Sequence, residues 1–316
     1  GNPKSNSIST NINYRNGKIN FFNSSSVYDR LRPGSSSGIT EYYNDSEPST
    51  FFSEDRKRER VSNGYFINNG FEWYIDDNTS ILGSFFYNDY SSDNLESNTI
   101  RELDANSTIL NTIIQNDFED DVDNNREYNL NFEKKLDEDG QLIAVDLQYE
   151  NSKEWENSII DENNVINESV IENIESESYL LRSDFVLPIG KNRQFEAGLR
   201  IEGEDDITDY KVFDNVNNVF VEDLNQSNLF QYKEQISALY TQYGVKVEEK
   251  YSFLFGLRLE NTLKNVNQLT IQDFTKIDDT GLFPTFNLLF LSCALTLFTN
   301  SLSAVLNITS TIILPS

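Results

Sequence analysis

An all-β, antiparallel up-and-down barrel is predicted by three features of this sequence: apolar and charged residues alternate with period two, hairpin turns recur, and connections alternate between short and long. The clearest alternation lies within residues 233–263. Phe253, Phe255, Leu257 and Leu259 fall on one side, and Ser252, Gly256, Arg258 and Glu260 on the other, with Leu254 as the exception. Successive side chains of a strand point to opposite faces, so one face here is bulky and apolar and the other ionised. Such a wall suits lipid or a core on one side and water on the other.

From the N-terminus, Ile8, Ile12 and Tyr14 alternate weakly, Asn16-Gly17 offers a type I′ hairpin pair, and residues 19–28 return. Residues 29–62 turn to Ser, Gly, Pro and charge and predict a long loop, with the basic run from Arg56 through Arg58 to Arg60 as its solvated tip. A second hairpin sets Tyr65, Ile67, Phe71, Trp73 and Ile75 on one face, turns at Asp76, Asp77 and Asn78, and returns with Ile81, Phe85 and Tyr87. Each arm approaches the roughly 9–11 residues that cross a bilayer as a tilted strand. Residues 89–124 form a second polar loop. The third hairpin pairs Tyr128, Leu130, Phe132 and Leu136 with Ile143, Val145, Leu147 and Tyr149, and its other face carries Asp146, Gln148 and Glu150. After an acidic loop at 151–176, a fourth hairpin runs over 179–187, turns at 188–193, and continues with Phe195, Ala197, Leu199 and Ile201 opposite Glu196, Gly198, Arg200 and Glu202. Loop four covers 203–231, and the fifth hairpin is the stretch described first.

Hairpins four and five share a Gly-Leu-Arg-aliphatic-Glu core, at Gly198 to Glu202 and Gly256 to Glu260. A repeated unit of this kind also fits a solenoid or propeller. Each unit holds one hairpin rather than a blade, however, and the loops alternate strictly. All tight turns therefore lie at one end and all long connections at the other. Soluble up-and-down barrels seldom carry four such connections in succession, whereas outer-membrane barrels pair short periplasmic turns with longer extracellular loops. A transmembrane barrel wall of about eleven strands is favoured over a soluble sandwich or adhesin.

Composition narrows the function. The 316 residues include 52 acidic and 25 basic side chains, a formal net charge of -27, which argues against phosphate-neutralising contacts and removes nucleic acid as a partner. A hydrophobic fraction of 37% with much charge could signal disorder, but 13% aromatics in ordered alternation point to β-structure. Cys293 is the single cysteine, so there is no internal disulfide and no cysteine-based zinc site. Histidine is absent, which removes the usual general base and the commonest metal ligand. No secretory signal is visible and methionine is lacking, so a segment of a longer protein is expected.

The segment with Leu282, Phe283, Pro284 and Thr285, following Gly256 to Glu260, resembles the barrel of the TonB-dependent outer-membrane receptor superfamily, and within it the branch of outer-membrane β-barrel family proteins. The resemblance is strong over 233–290 and rests on hairpin rhythm over 7–231. It implies a barrel of about 22 strands, of which ten or eleven are countable here. It also implies an N-terminal plug, a TonB-type energy-coupling protein as partner, and extracellular loops that capture a small ligand. No plug or coupling box is visible. The domain division expected is 1–290 for the partial barrel and 291–316 for an atypical uncharged tail. That tail is open to two readings: a transmembrane helix, or sequence that is not native barrel, such as the product of a shifted reading frame. Its Ser, Thr and β-branched content favours the second.

Each candidate for chemistry has a plainer reading beside it. Asp117, Glu119, Asp120, Asp121 and Asp123 offer calcium-type oxygens, but the turn glycine and distal acid of a calcium loop are missing, and solvated loop charge is the better reading. Asp205-Asp206 and Asp278-Asp279 are adjacent carboxylates of the kind a chain this acidic holds by chance. Arg200, Glu202, Arg258 and Glu260 are the lumen-lining candidates, either lining a passage or forming a cross-strand ladder of ion pairs that satisfies a wet interior. Tyr65, Trp73, Tyr87, Tyr149, Tyr179 and Tyr251 suit interfacial girdles. The expected function is ligand uptake in the cell outer membrane, without catalysis, metal or cofactor; the alternative is a surface adhesive β-protein with acidic, calcium-binding loops.

Overall fold

The computed structural model describes residues 4–44, 47–248, 250–291, 303–309 and 312–314. They form strands β1 (Lys4–Asn16), β2 (Ile19–Asn44), β3 (Glu47–Asp76), β4 (Thr79–Leu103), β5 (Ile109–Lys135), β6 (Leu142–Glu162), β7 (Val165–Ile189), β8 (Arg193–Val216), β9 (Val219–Glu222), β10 (Asn228–Val247), β11 (Tyr251–Gln268), β12 (Asp273–Leu291), β13 (Ser303–Thr309) and β14 (Ile312–Leu314). One antiparallel sheet holds them in chain order, with the short β9 on β8 and β14 on β12. The up-and-down topology is the one expected, and the eleven countable strands are β1–β8 and β10–β12. Among the described residues the sheet is open, with β1 at one end and β13 and β14 at the other. Most of the tail at 291–316 lies outside the described residues; its described pieces are strands.

The five tight turns fall where the hairpins place them. β1 and β2 close through Gly17 and Lys18, and Asn16 pairs with Ile19. Gly17 alone of these two has a positive φ, 56°, so the turn is of the II′ kind, with glycine at its first central position, and not the I′ turn expected from Asn16-Gly17. The β5–β6 turn is held by the Gln141 N–H donating to the Asp137 carboxylate at 2.8 Å.

At the opposite end the structure corrects the expectation of irregular loops. The ladders of 29–62, 89–124, 151–176 and 203–231 continue as paired strand almost to the tips, so that Glu162 pairs with Val165 and Val216 with Val219. Polar side chains do not prevent this, because a hairpin wetted on both faces needs only its backbone hydrogen bonds and compatible cross-strand neighbours. Such neighbours are present: Lys153 faces Glu175 and their charged groups meet at 2.7 Å, as Lys233 meets Asp205 at 2.6 Å. The run containing Arg56, Arg58 and Arg60 is likewise strand, not a loop tip.

Among the described residues no second layer packs on the sheet. Val212 and Ala238 are the buried apolar side chains among the described residues, while Phe255 is 50% and Leu257 44% exposed. A water-soluble fold would cover such a face.

Candidate functional site

Register turns the period-two pattern into two faces that run across the whole wall. Directly opposed residues share a face, so Leu239, Leu259 and Leu199 stand together, and so do Ala238, Glu260 and Arg200. The apolar face is bounded by aromatics. Tyr128 lies opposite Tyr149 and Tyr149 opposite Tyr179, and the ring centroids of Tyr128 and Tyr149 are 6.3 Å apart. Phe85 joins Tyr128 at 5.0 Å, and Tyr65 meets Tyr87 at 5.6 Å, which extends the row across β3 to β7. Beyond the row the same face carries Asn151, Lys153, Glu175 and Glu177; behind it lie Leu130, Leu147 and Leu181. Trp73 and Tyr251 lie beside tight turns, at the other edge of the band. From Tyr179 to Leu187, at about 3.4 Å per residue and a tilt of about 40°, the band measures roughly 20 Å, near the apolar height of about 25 Å found on outer-membrane barrels.

The opposite face of that band is a polar network. Arg182 reaches Asp146 across the β6–β7 ladder at 2.8 Å and Asp184 on its own strand at 3.1 Å, and Asn131 donates to Asp146. The Tyr240 hydroxyl donates to Asp184, its ring passing over the bare backbone of Gly198. Arg200 and Glu202 pair with each other on β8, and Arg258 with Glu260 on β11 at 2.7 Å. All four of these expected lining residues share this face. Their pairing, however, runs along each strand and not across strands, because the residues opposite Arg200 are Arg182 and Ala238, and those opposite Glu260 are Ala238 and Gly281. With side chains 22–39% exposed, each pair contributes about 0–1 kcal/mol. Beside them Arg200, Glu202, Gln148 and Glu234 line a depression of about 400 Å³. Arg182 and Asp184 escape a sequence reading because LLRSDFVL, at 180–187, breaks the alternation, and Tyr240 because its partner Asp184 lies two strands away on β7.

Beyond the aromatic row the polar face becomes acidic on β5 to β7. Asp121 faces Glu156, Glu156 faces Glu172, and Asp123 faces Glu154. Burial, and secondly the neighbouring carboxylates, push Asp121, Asp123, Glu154 and Glu156 above the usual carboxylate range. The folded state then holds their protons more tightly than the unfolded chain does. Its stability is fullest where they are protonated and falls as pH rises from the ordinary carboxylate range through the folded values. Amide exchange at 117–125 and 152–158, corrected for intrinsic rate, is expected to slow as pH is lowered through that window; faster opening would show that the acids do not oppose the fold.

No group of three or more acidic side chains among the described residues is gathered so as to hold a metal ion; of the five acids considered for calcium, Asp117, Glu119, Asp121 and Asp123 are strung along one face of β5 and Asp120 lies on the other. Adjacent strand residues diverge, so Asp205 and Asp206 do not converge, nor do Asp278 and Asp279.

Half of the chain, residues 134–291, matches the model of the outer membrane protein beta-barrel family. The chain belongs to that family. This outer-membrane β-barrel protein therefore has lipid against its apolar band. No curated protein sequence matches it. Among solved structures it is similar to the ferric citrate transporter FecA in the unliganded form, at 9% identity and a TM-score of 0.49, over 90% of this chain and 42% of that one. It is also similar to the outer membrane protease OmpT from Escherichia coli, at 10% identity and a TM-score of 0.29, over 86% of this chain and 95% of that one. The chain thus spans less than half the length of FecA.

Proposed function

We propose that this outer-membrane barrel is a receptor for ligand uptake, driven by a TonB-type energy-coupling protein through a plug. The observation that carries the reading is the continuity of the polar face. It runs without a break from the Arg200 and Arg258 pairs, within the lipid-facing band, onto hairpins that reach well past the aromatic row. A bare pore has no use for so much ordered, wetted wall, whereas a receptor gains a capture surface that leads into its lumen. The succession of Gly256 to Glu260 and Phe283 to Thr285, which resembles the TonB-dependent superfamily, agrees with this. In this proposal Arg200, Glu202, Arg258 and Glu260 line the passage, and no bond in the ligand is made or broken.

Conductance separates receptor from pore. The full protein in planar bilayers is expected to pass almost no steady current, because a plug blocks the lumen at rest. Large, voltage-independent, long-lived currents would overturn the receptor reading and leave a passive channel.

A further inference from the structure

On the polar face of β2 and β3, beyond the aromatic row, we infer an oxyanion-binding site centred on Arg30, Arg32 and Arg60. Arg32 and Arg60 are directly opposed across the ladder, a like-charge pair that ordinarily destabilises a sheet. Neither has a carboxylate partner among the described residues. Arg60 donates to the Asn94 amide oxygen at 2.9 Å, and Arg30 lies over the Tyr28 ring at 4.3 Å. The other two arginines of this face are neutralised: Arg56 pairs with Glu54 at 2.9 Å, and Arg58 with Glu96.

In a chain with 52 acidic and 25 basic residues, three neighbouring guanidinium groups without an ion pair among the described residues call for an explanation. The residues beside them are neutral: Ser5 and Ser62 flank Arg30, and Asn94 flanks Arg60. Ser62 is 1% exposed and its hydroxyl has no hydrogen-bond partner. Arg32, Arg60 and Asn94, with the paired Arg58 and Glu96 and with Glu59 at its rim, line a depression of about 330 Å³, where Gly34 leaves the space above the backbone open. An oxyanion between Arg32 and Arg60 would neutralise their repulsion and take up bidentate donors.

The far wall of the depression limits what enters. Asp117 and Glu119 stand there, one strand beyond Asn94, and they repel an extended polyanion. The ligand class is therefore a compact carboxylate or phosphate group on an otherwise neutral or cationic molecule. This deepens the capture role proposed above and rests on it only for its purpose, since binding and passage are measured separately.

The test is thermal unfolding and direct titration of the full protein in detergent micelles, with inorganic phosphate and acetate as separate probes and chloride at matched ionic strength. Phosphate, acetate or both are expected to raise the unfolding temperature of the parent protein and of Arg101→Gln, which breaks the outer-face pair with Asp55. The double variant Arg32→Gln/Arg60→Gln is expected to bind at least about tenfold more weakly, yet to unfold no earlier than the parent without the probe, since a repulsion has been removed. Arg32→Lys/Arg60→Lys keeps the charge but loses the planar fork, and should fall between the two. The site is refuted if neither probe binds the parent, or if all four proteins respond alike. Conductance results bear on the transport proposal alone, so failure of one does not imitate failure of the other.

Discussion

Leu257→Arg is expected to lose about 2–4 kcal/mol of folded stability in a bilayer, the cost of an arginine facing lipid near the midplane. Leu257 stands midway along the apolar stretch of β11, opposite Thr241 and Pro284, and no layer of the described residues packs above it. Val122→Arg supplies the control. Val122 lies on the same face of the wall and is similarly exposed, 42% against 44%, but beyond the aromatic row, where water takes the place of lipid. That substitution should change stability by less than about 0.5 kcal/mol. Denaturant titration of both variants in liposomes, read by tryptophan fluorescence, measures the difference. Equal losses would mean that the aromatic row does not mark a membrane boundary.

Gly198→Ala is expected to cost about 1–3 kcal/mol, although a methyl group is the smallest side chain that can be added. A Cβ at this position meets both the Tyr240 ring and the Ser183 backbone carbonyl. Removing the ring in a Gly198→Ala/Tyr240→Ala chain should restore only part of the loss, because the carbonyl stays. Gly244, on the same face of the neighbouring strand, has no such obstacle within 3.4 Å, and Gly244→Ala should be close to neutral. Unfolding midpoints in the same liposomes decide the matter; a Gly198→Ala variant as stable as Gly244→Ala would show that Tyr240 is not fixed over the glycine.

What was legible in the sequence depended on where lipid lies. Within the band one face must be apolar, so Phe253, Phe255, Leu257 and Leu259 announce both the strand and its orientation, and all five tight turns could be placed. Beyond the aromatic row water wets both faces and hydrophobic periodicity disappears, so Arg56, Arg58 and Arg60 looked like a loop although they occupy alternate positions of β3. Other marks of those hairpins were present. Asn163 and Asn164 have φ of 54° and 65°, and Asn217 and Asn218 of 55° and 66°, the left-handed pairs of type I′ turns. Two asparagine doublets inside supposed loops were thus hairpin tips. The polar network was legible by face but not by partner: Arg200 and Glu202 were placed together, yet the knowledge that Arg182 stands opposite Arg200 requires register, which one strand alone does not contain.

The claim on which the rest depends is that the two faces of β11 meet different solvents. Single cysteines carrying spin labels at Phe253, Phe255, Gly256, Leu257, Arg258, Leu259 and Glu260, with the native Cys293 replaced by serine, measure this directly in the full protein in liposomes. Collision with lipid-soluble oxygen should be high at 253, 255, 257 and 259, and collision with a water-soluble nickel chelate should be high at 256, 258 and 260. Uniform accessibility along β11, or nickel contact at Leu257 equal to that at Arg258, would contradict a lipid-facing wall and take the uptake proposal with it.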